Sequence, residues 1–305
     1  MYETYGLVRS WGRRALVVVA AVTVAVATVV TGAGAAAAGG AAHSGPVDVL
    51  YAGSLVDLMQ QRLGPAFFAA TGYSVDGVAA GSQELAAEIK GRTQQADVFI
   101  SAAPAVDRSL EGRANGNWVR WYSTFASSPL VLGYDPQSRF ARALRTEPWW
   151  KVVTSKGFLL GWTDPATDPK GVLAVTAMDE AARAHHSPAL KALAASTATE
   201  FPEQTLVGRL QAGQIDAGFF YDVEAKAAKL PTVRLGGIDL AGDYTVTVVD
   251  GAPHVAAAES FVSFLLGRAG RSILAKNGVT VAHRLPVTGD ERAVPASLRR
   301  VLRAR

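Results

Sequence analysis

From Val47 the chain reads VDVLYAGS, a short alternating run that predicts a strand ending in Ala-Gly-Ser. LVDLMQQRLGPAFFAATGY follows with apolar positions at helical spacing. The unit then repeats: YSVDGVAAGS is strand-like and ends in the same Ala-Gly-Ser, QELAAEIKGR is helical, and ADVFISA is a third strand. This order predicts a parallel sheet with helices on its faces, because a parallel neighbour is reached only by a crossover.

Further along, WYSTFASSPLVLGYD (Trp121 to Asp135) is a long apolar strand with Ser127, Ser128 and Pro129 in its middle, which suits a chain crossing between lobes. FLLGWTDPATDPKGVLAVTAMDEAARA then predicts a strand, a turn-rich loop and a helix, with Asp168 as N-cap and Pro169 as first helical residue. In GRLQAGQIDAGFFYDVEAKAAKL a helix ends, the strand IDAGFFY follows and another helix starts, so Tyr221 stands at a strand-to-helix joint. DYTVTVVDGAP is an extended run that crosses back, and HVAAAESFVSFLLGRAGRSILAKNG reads as paired helices. Two lobes joined by two crossings make a hinged clamshell with a cleft between them. Lobe I is assigned to 45–125 plus 242–305 and lobe II to 126–241.

The first 44 residues have a different character. Arg9, Arg13 and Arg14 precede an uncharged run from Ala15 to Ala42, first Val/Ala-rich and then small, which is the order of an export signal. A retained membrane anchor is the rival reading, since the 16 residues from Ala15 to Val30 approach the ~17 that span a bilayer. The 305-residue chain carries a formal charge of +4; without this segment, which holds three Arg and one Glu, the charge is +2. A nearly neutral protein whose basic residues are not interleaved with aromatics in a stripe is not expected to bind nucleic acid. With no cysteine, disulfide frameworks, thiol nucleophiles and cysteine-ligated metals are excluded.

Both Ala-Gly-Ser joints fall where a strand's C-terminal end meets a helix, the place where open α/β sheets bind ligands. Ser54 and Ser82, with Gly53 and Gly81 before them, can offer hydroxyls and backbone N–H groups at the positive end of a helix dipole, a donor-rich uncharged site for an anion. The plainer reading of each Ser is a helix N-cap. Trp118, Trp121, Trp149, Trp150 and Trp162 read as core or lobe-surface aromatics, Trp162 having the best claim to the cleft. The arginine-rich tail ERAVPASLRRVLRAR reads as a solvated terminal helix.

Taken together, AGSLVDL, AAGSQELAAEI, ADVFISA, WTDPATDPKG, FFYDVEAKAAKL and APHVAAAESFVSFLLGRAGRSIL resemble the substrate-binding proteins of molybdate/tungstate ABC importers, the tungstate-binding subgroup in particular, over roughly Val47 to Pro286. The resemblance implies a periplasmic-binding-protein-like α/β clamshell, each lobe a mainly parallel sheet flanked by helices. It implies an exported protein, periplasmic or at the cell surface, that closes on a tetrahedral oxyanion and presents it to a membrane permease. It is expected to act as a monomer without a cofactor. By motif, Ser54 and Ser82 donate from the first lobe, Asp168 with the Pro169 to Val172 turn faces the oxyanion from the second, and Tyr221 donates its phenol. In the tungstate subgroup two carboxylates approach the metal centre, one of them a Glu near the strand-end Tyr. Here Phe220 precedes Tyr221, with Asp222 and Glu224 after it, so Asp168 is read first as a helix cap and second as a metal-centre contact.

Other tetrahedral oxyanions, sulfate, thiosulfate or phosphate, suit the same donor-lined cleft, and an oxyanion-sensing receptor subunit would keep the same clamshell. An enzyme is not expected: there is no G-x-S-x-G elbow, no P-loop and no H-E-x-x-H, and no His lies near the joints.

Overall fold

The computed structural model describes residues 45–303; the export-signal reading lies outside them. Among the described residues no helix is long and apolar enough to cross a membrane. Eleven strands form one open sheet: β1 (Pro46–Ala52), β2 (Ser74–Ala80), β3 (Val98–Ser101), β4 (Trp121–Tyr134), β5 (Leu160–Thr163), β6 (Glu200–Phe201), β7 (Ala217–Tyr221), β8 (Thr232–Val233), β9 (Ala241–Val248), β10 (Thr280–Val281) and β11 (Val287–Gly289). The main path runs β2-β1-β3-β9-β4-β7-β5-β6, with β8, β10 and β11 paired to β4.

The repeated strand-helix units pair as their pattern requires. β1 lies parallel to both β2 and β3, and β5 lies parallel to both β6 and β7. Between these two parallel sets run β4 and β9, antiparallel to each other from Ser123 to Pro129. The 14 residues of β4 serve both sides: Leu130 to Tyr134 pair with β7, while β9 continues alongside β3. A bulge between Thr124 and Ala126 interrupts this ladder and gives the shared strand a local kink.

Helices cover the faces. After β1 a 3-10 turn (Gly53–Leu55) leads through Val56–Leu58 and a π-helical turn (Met59–Leu63) into Gly64–Thr71, so the helix expected here is not regular. Pro65 has no N–H to donate to the preceding turn, and a π turn absorbs that break. Ser82–Gly91 follows β2, Pro169–Ala184 follows β5, Glu203–Gln211 follows β6 and Asp222–Ala227 follows β7. Val255–Leu266 and Arg268–Lys276 are the paired helices expected near the end.

Trp162 is wholly buried in the main core, as the reading of the tryptophans as core aromatics expects. One local expectation is corrected. The tail is not a solvated helix. Two 3-10 turns and the short helix Arg299–Arg303 fold it back, and Leu298 and Leu302 join the core against Val255–Leu266. Burying two leucines favours docking over solvation by a few kcal/mol.

Candidate functional site

The two Ala-Gly-Ser joints end β1 and β2, neighbours in the sheet, so they stand side by side. Neither serine acts as a side-chain cap. Ser54 Oγ instead shares a 2.9 Å hydrogen bond with the Tyr244 phenol of β9, and Ser82 Oγ accepts from the Ala102 N–H at 3.1 Å. Both serines are buried.

Chain from beyond β5 closes over both joints. The Thr167 carbonyl accepts from the N–H groups of Gln83 and Glu84, at 3.1 Å each, in the first turn of Ser82–Gly91. A side chain on Gly81 would overlap that carbonyl, and one on Gly53 would overlap the Glu203 carboxylate. Gly81 is therefore required by the close approach of a backbone carbonyl, whereas at Gly53 the neighbour is the end of a flexible side chain.

Asp168 is the N-cap of Pro169–Ala184: its Oδ1 accepts from the Lys170 N–H at 3.3 Å. Its other oxygen is buried without a hydrogen-bond partner. Burial pushes this carboxyl up, and the nearby Lys170 ammonium pulls it only partly back. Tyr221 is the residue before Asp222–Ala227, its phenol buried and unpartnered and its ring packed edge-on to Tyr244 at 6.0 Å. Desolvation followed by the surrounding carboxylates holds both phenols protonated well above their ordinary range.

At the centre is a cluster that the motif reading named only in part: Lys170 lies in the Pro169 to Val172 turn and Glu224 is one of the two acids after Tyr221, while Glu203 was not singled out. Lys170 is fully buried, and its Nζ donates to both oxygens of Glu224, at 2.8 and 2.7 Å, and to Glu203 Oε1 at 3.4 Å. The same ammonium lies 5.9 Å from the Tyr221 ring centre and 5.6 Å from that of Phe220. Its carboxylate neighbours outweigh desolvation and raise its pKa, so it stays charged. Glu203 is also pushed up, to about 8, which favours its neutral form, because burial and the Glu224 and Asp168 charges outweigh Lys170.

Of the two acids after Tyr221, Glu224 turns inward to Lys170, whereas Asp222 pairs with the exposed Lys226 at 2.5 Å. Ser54, Ser82, Asp168 and Tyr221, with Gly53 and Gly81, thus gather around one buried polar centre, joined there by Tyr244, Lys170, Glu203 and Glu224. One signal for three of the added residues was present: Lys170, Glu203 and Glu224 each lie in the first turn of a helix that follows a strand. Asp48, Asp97 and His254 also cluster, but their bonds are spent on the fold: Asp97 accepts from the Asp48 and His254 backbone N–H groups at 2.8 and 2.7 Å.

Hydroxyls, phenols, one ammonium and several carboxyls at the C-terminal ends of parallel strands can hold a small polar solute, with donors from β1, β2 and β9 facing charged groups from beyond β5, β6 and β7. The arrangement is that of a solute-binding protein. Residues 47–280 match the bacterial extracellular solute-binding proteins, and the chain belongs to that family, whose members bind solutes and are not enzymes. A Haloferax volcanii protein named "Putative ABC transporter molybdenum-binding protein" is 31% identical over 260 residues, covering 77% of this chain and 81% of that one. A molybdate/tungstate-binding protein of Thermococcus kodakarensis is 22% identical over 213 residues, covering 53% of this chain and 60% of that one. Among solved structures, the periplasmic molybdate-binding protein of Azotobacter vinelandii has the same fold, with a TM-score of 0.61 at 19% identity over 78% of this chain and all of that one.

Proposed function

We propose that the protein captures a tetrahedral oxyanion, molybdate or tungstate, and delivers it to an ABC permease outside the cytoplasm. The observation that carries the reading is the convergence of both Ala-Gly-Ser joints with Asp168 and Tyr221 on one buried polar centre. The names of the Haloferax and Thermococcus relatives support the substrate class. In this reading the strands β4 and β9 are the hinge crossings, lobe I is 45–125 plus 242–305, lobe II is 126–241, and the monomer closes by bringing Thr167 and Glu203 toward Gly81 and Gly53. Residues 1–44 act as the export signal.

Ser54, Ser82 and Tyr221 supply neutral donors, which stabilise a dianion without a counterion. About six hydrogen bonds at ~1.5 to 3 kcal/mol each reach the roughly 12 kcal/mol of a nanomolar site before association costs. Titration calorimetry of residues 45–305 with molybdate, tungstate, sulfate, thiosulfate and phosphate tests the assignment. Tight binding of molybdate and tungstate with weak binding of sulfate is expected. Sulfate or phosphate binding as tightly as molybdate overturns the substrate and keeps the anion site.

A further inference from the structure

We infer that Glu203 is a built-in stand-in for the solute: its carboxylate occupies the anion's place between Gly53 and Lys170, and a bound oxyanion displaces it and takes Lys170 as its charged partner. The inference rests on the oxyanion reading above and adds to it a competitor and a counterion.

Four observations carry it. The Glu203 carboxylate lies directly on the first Ala-Gly-Ser joint, where a Cβ at Gly53 would overlap it unless the glutamate side chain moved. That joint is where the strand-end geometry calls for an anion, and Glu203 supplies an acidic oxygen to it from the opposite side of the centre. Second, Lys170 is held unequally. Glu224 accepts from it through both oxygens at 2.8 and 2.7 Å, whereas Glu203 is held by one contact at 3.4 Å, so Glu203 is the partner that leaves at lower cost. Third, hydrogen-bonding capacity beyond what Glu203 uses surrounds the place, since the Tyr221 phenol is buried and unpartnered. Fourth, Glu203 is the first residue of its helix and its neighbour Gln204 is exposed at the rim, where it reaches Glu84 of Ser82–Gly91. Rotation of the Glu203 side chain at that helix end therefore does not require the helix to unwind.

Exchange also resolves the charge balance. Above about pH 8, where Glu203 is ionised, a dianion added beside Asp168, Glu203 and Glu224 would face three carboxyls with one ammonium. Removing Glu203 leaves the ammonium to be shared between Glu224 and the solute. The groups that face Glu203 are Lys170 and Asp168 from Pro169–Ala184, Glu224 from Asp222–Ala227, Tyr221 of β7, Tyr244 of β9 and Tyr51 of β1. All of them remain in a Glu203→Gln variant, so the difference between that variant and the wild type isolates Glu203.

The direction of the pH dependence decides the matter. A carboxyl held at about 8 in the cluster returns to the ordinary glutamate range once in water, so displacement releases a proton between those limits. Calorimetry with sodium molybdate is carried out from pH 6.5 to 9, in buffers of differing ionisation enthalpy. Wild-type affinity is expected to fall tenfold or more from pH 9 to pH 6.5, with close to one proton released at pH 6.5. Glu203→Gln, checked for an unchanged fold by its melting curve, is expected to give a profile flatter by that amount. Parallel profiles in the two proteins overturn the inference, and so does an affinity that rises as the pH falls, because Glu203 then stays beside the anion as a protonated donor. If neither protein binds any of the five oxyanions, the oxyanion reading fails instead. The stand-in is then decided without solute by small-angle scattering, where a larger radius of gyration for Glu203→Ala than for the wild type supports it and superposable curves overturn it.

Discussion

The Ser54 hydroxyl and the Tyr244 phenol share a hydrogen bond of 2.9 Å across 190 residues of chain. The bond ties the first Ala-Gly-Ser joint to β9, one of the two strands that run between the parallel sets, and so couples the site to the proposed hinge. Ser54→Ala removes one donor to the solute and is expected to weaken molybdate binding roughly tenfold to a hundredfold, about 1.5 to 3 kcal/mol. Calorimetry of that variant measures the loss. Unchanged affinity with an intact fold would take Ser54 out of the site.

Asp168→Asn separates cap from ligand. The amide oxygen replaces Oδ1 toward the Lys170 N–H, since Asn caps as well as Asp, so the melting temperature is expected to stay close to wild type. Removing a negative charge from beside a dianion should leave affinity the same or higher. The unpartnered Oδ2 is the atom that would reach a metal centre. A tenfold or greater loss of tungstate affinity, with stability retained, would assign it that contact and make Glu224 its partner carboxylate.

Lys170→Met leaves Glu203 and Glu224 buried without their cation. Breaking a buried charge pair in this way costs about 3 to 5 kcal/mol, to be read from urea unfolding at pH 9, above the value of about 8 to which the Glu203 carboxyl is pushed. Adding Glu203→Gln and Glu224→Gln should restore much of the loss, because the burden is the uncompensated charge and not the missing ammonium. A triple variant no more stable than Lys170→Met would contradict this account.

Asp107 makes a separate pH prediction. Burial pushes its carboxyl up to about 7, although the hydroxyls of Thr245 at 2.6 Å and Ser101 at 2.9 Å both donate to Oδ2 and oppose the rise. Between the ordinary aspartate range and about 7 the folded protein keeps a proton that the unfolded chain has released. Stability from this group is therefore full at the acid side and is lost as the pH rises through that window, by about 4 kcal/mol in all. Asp107→Asn keeps an acceptor for the two hydroxyls and should melt higher than wild type at pH 8, with the advantage shrinking toward pH 5. Parallel melting profiles in the two proteins would count against the assignment.

Much of the architecture was legible in local pattern. Alternation and helical spacing marked β1, β2 and β3 with their helices, Asp168 before Pro169 marked a helix start, and the interrupted run at Ser127 to Pro129 marked the strand shared by both sides. These features depend on side-chain direction and backbone preference within a few residues, which the order of residues alone determines. The tail misled because its arginines suggested solvation, while Leu298 and Leu302, four residues apart, carry the face that docks.

The buried centre was settled at another level. Lys170 meets Glu203 and Glu224 across 33 and 54 residues because the strands before their helices, β5, β6 and β7, lie side by side and parallel with their C-terminal ends together. No local period encodes that adjacency; it follows from the order of strands in the sheet. The sequence by itself determined which joints carry donors and which residue caps the helix after β5. Only the tertiary structure decided that a lysine and two glutamates share those joints, since burial and packing between distant segments, and not spacing along the chain, set their contacts and their charges.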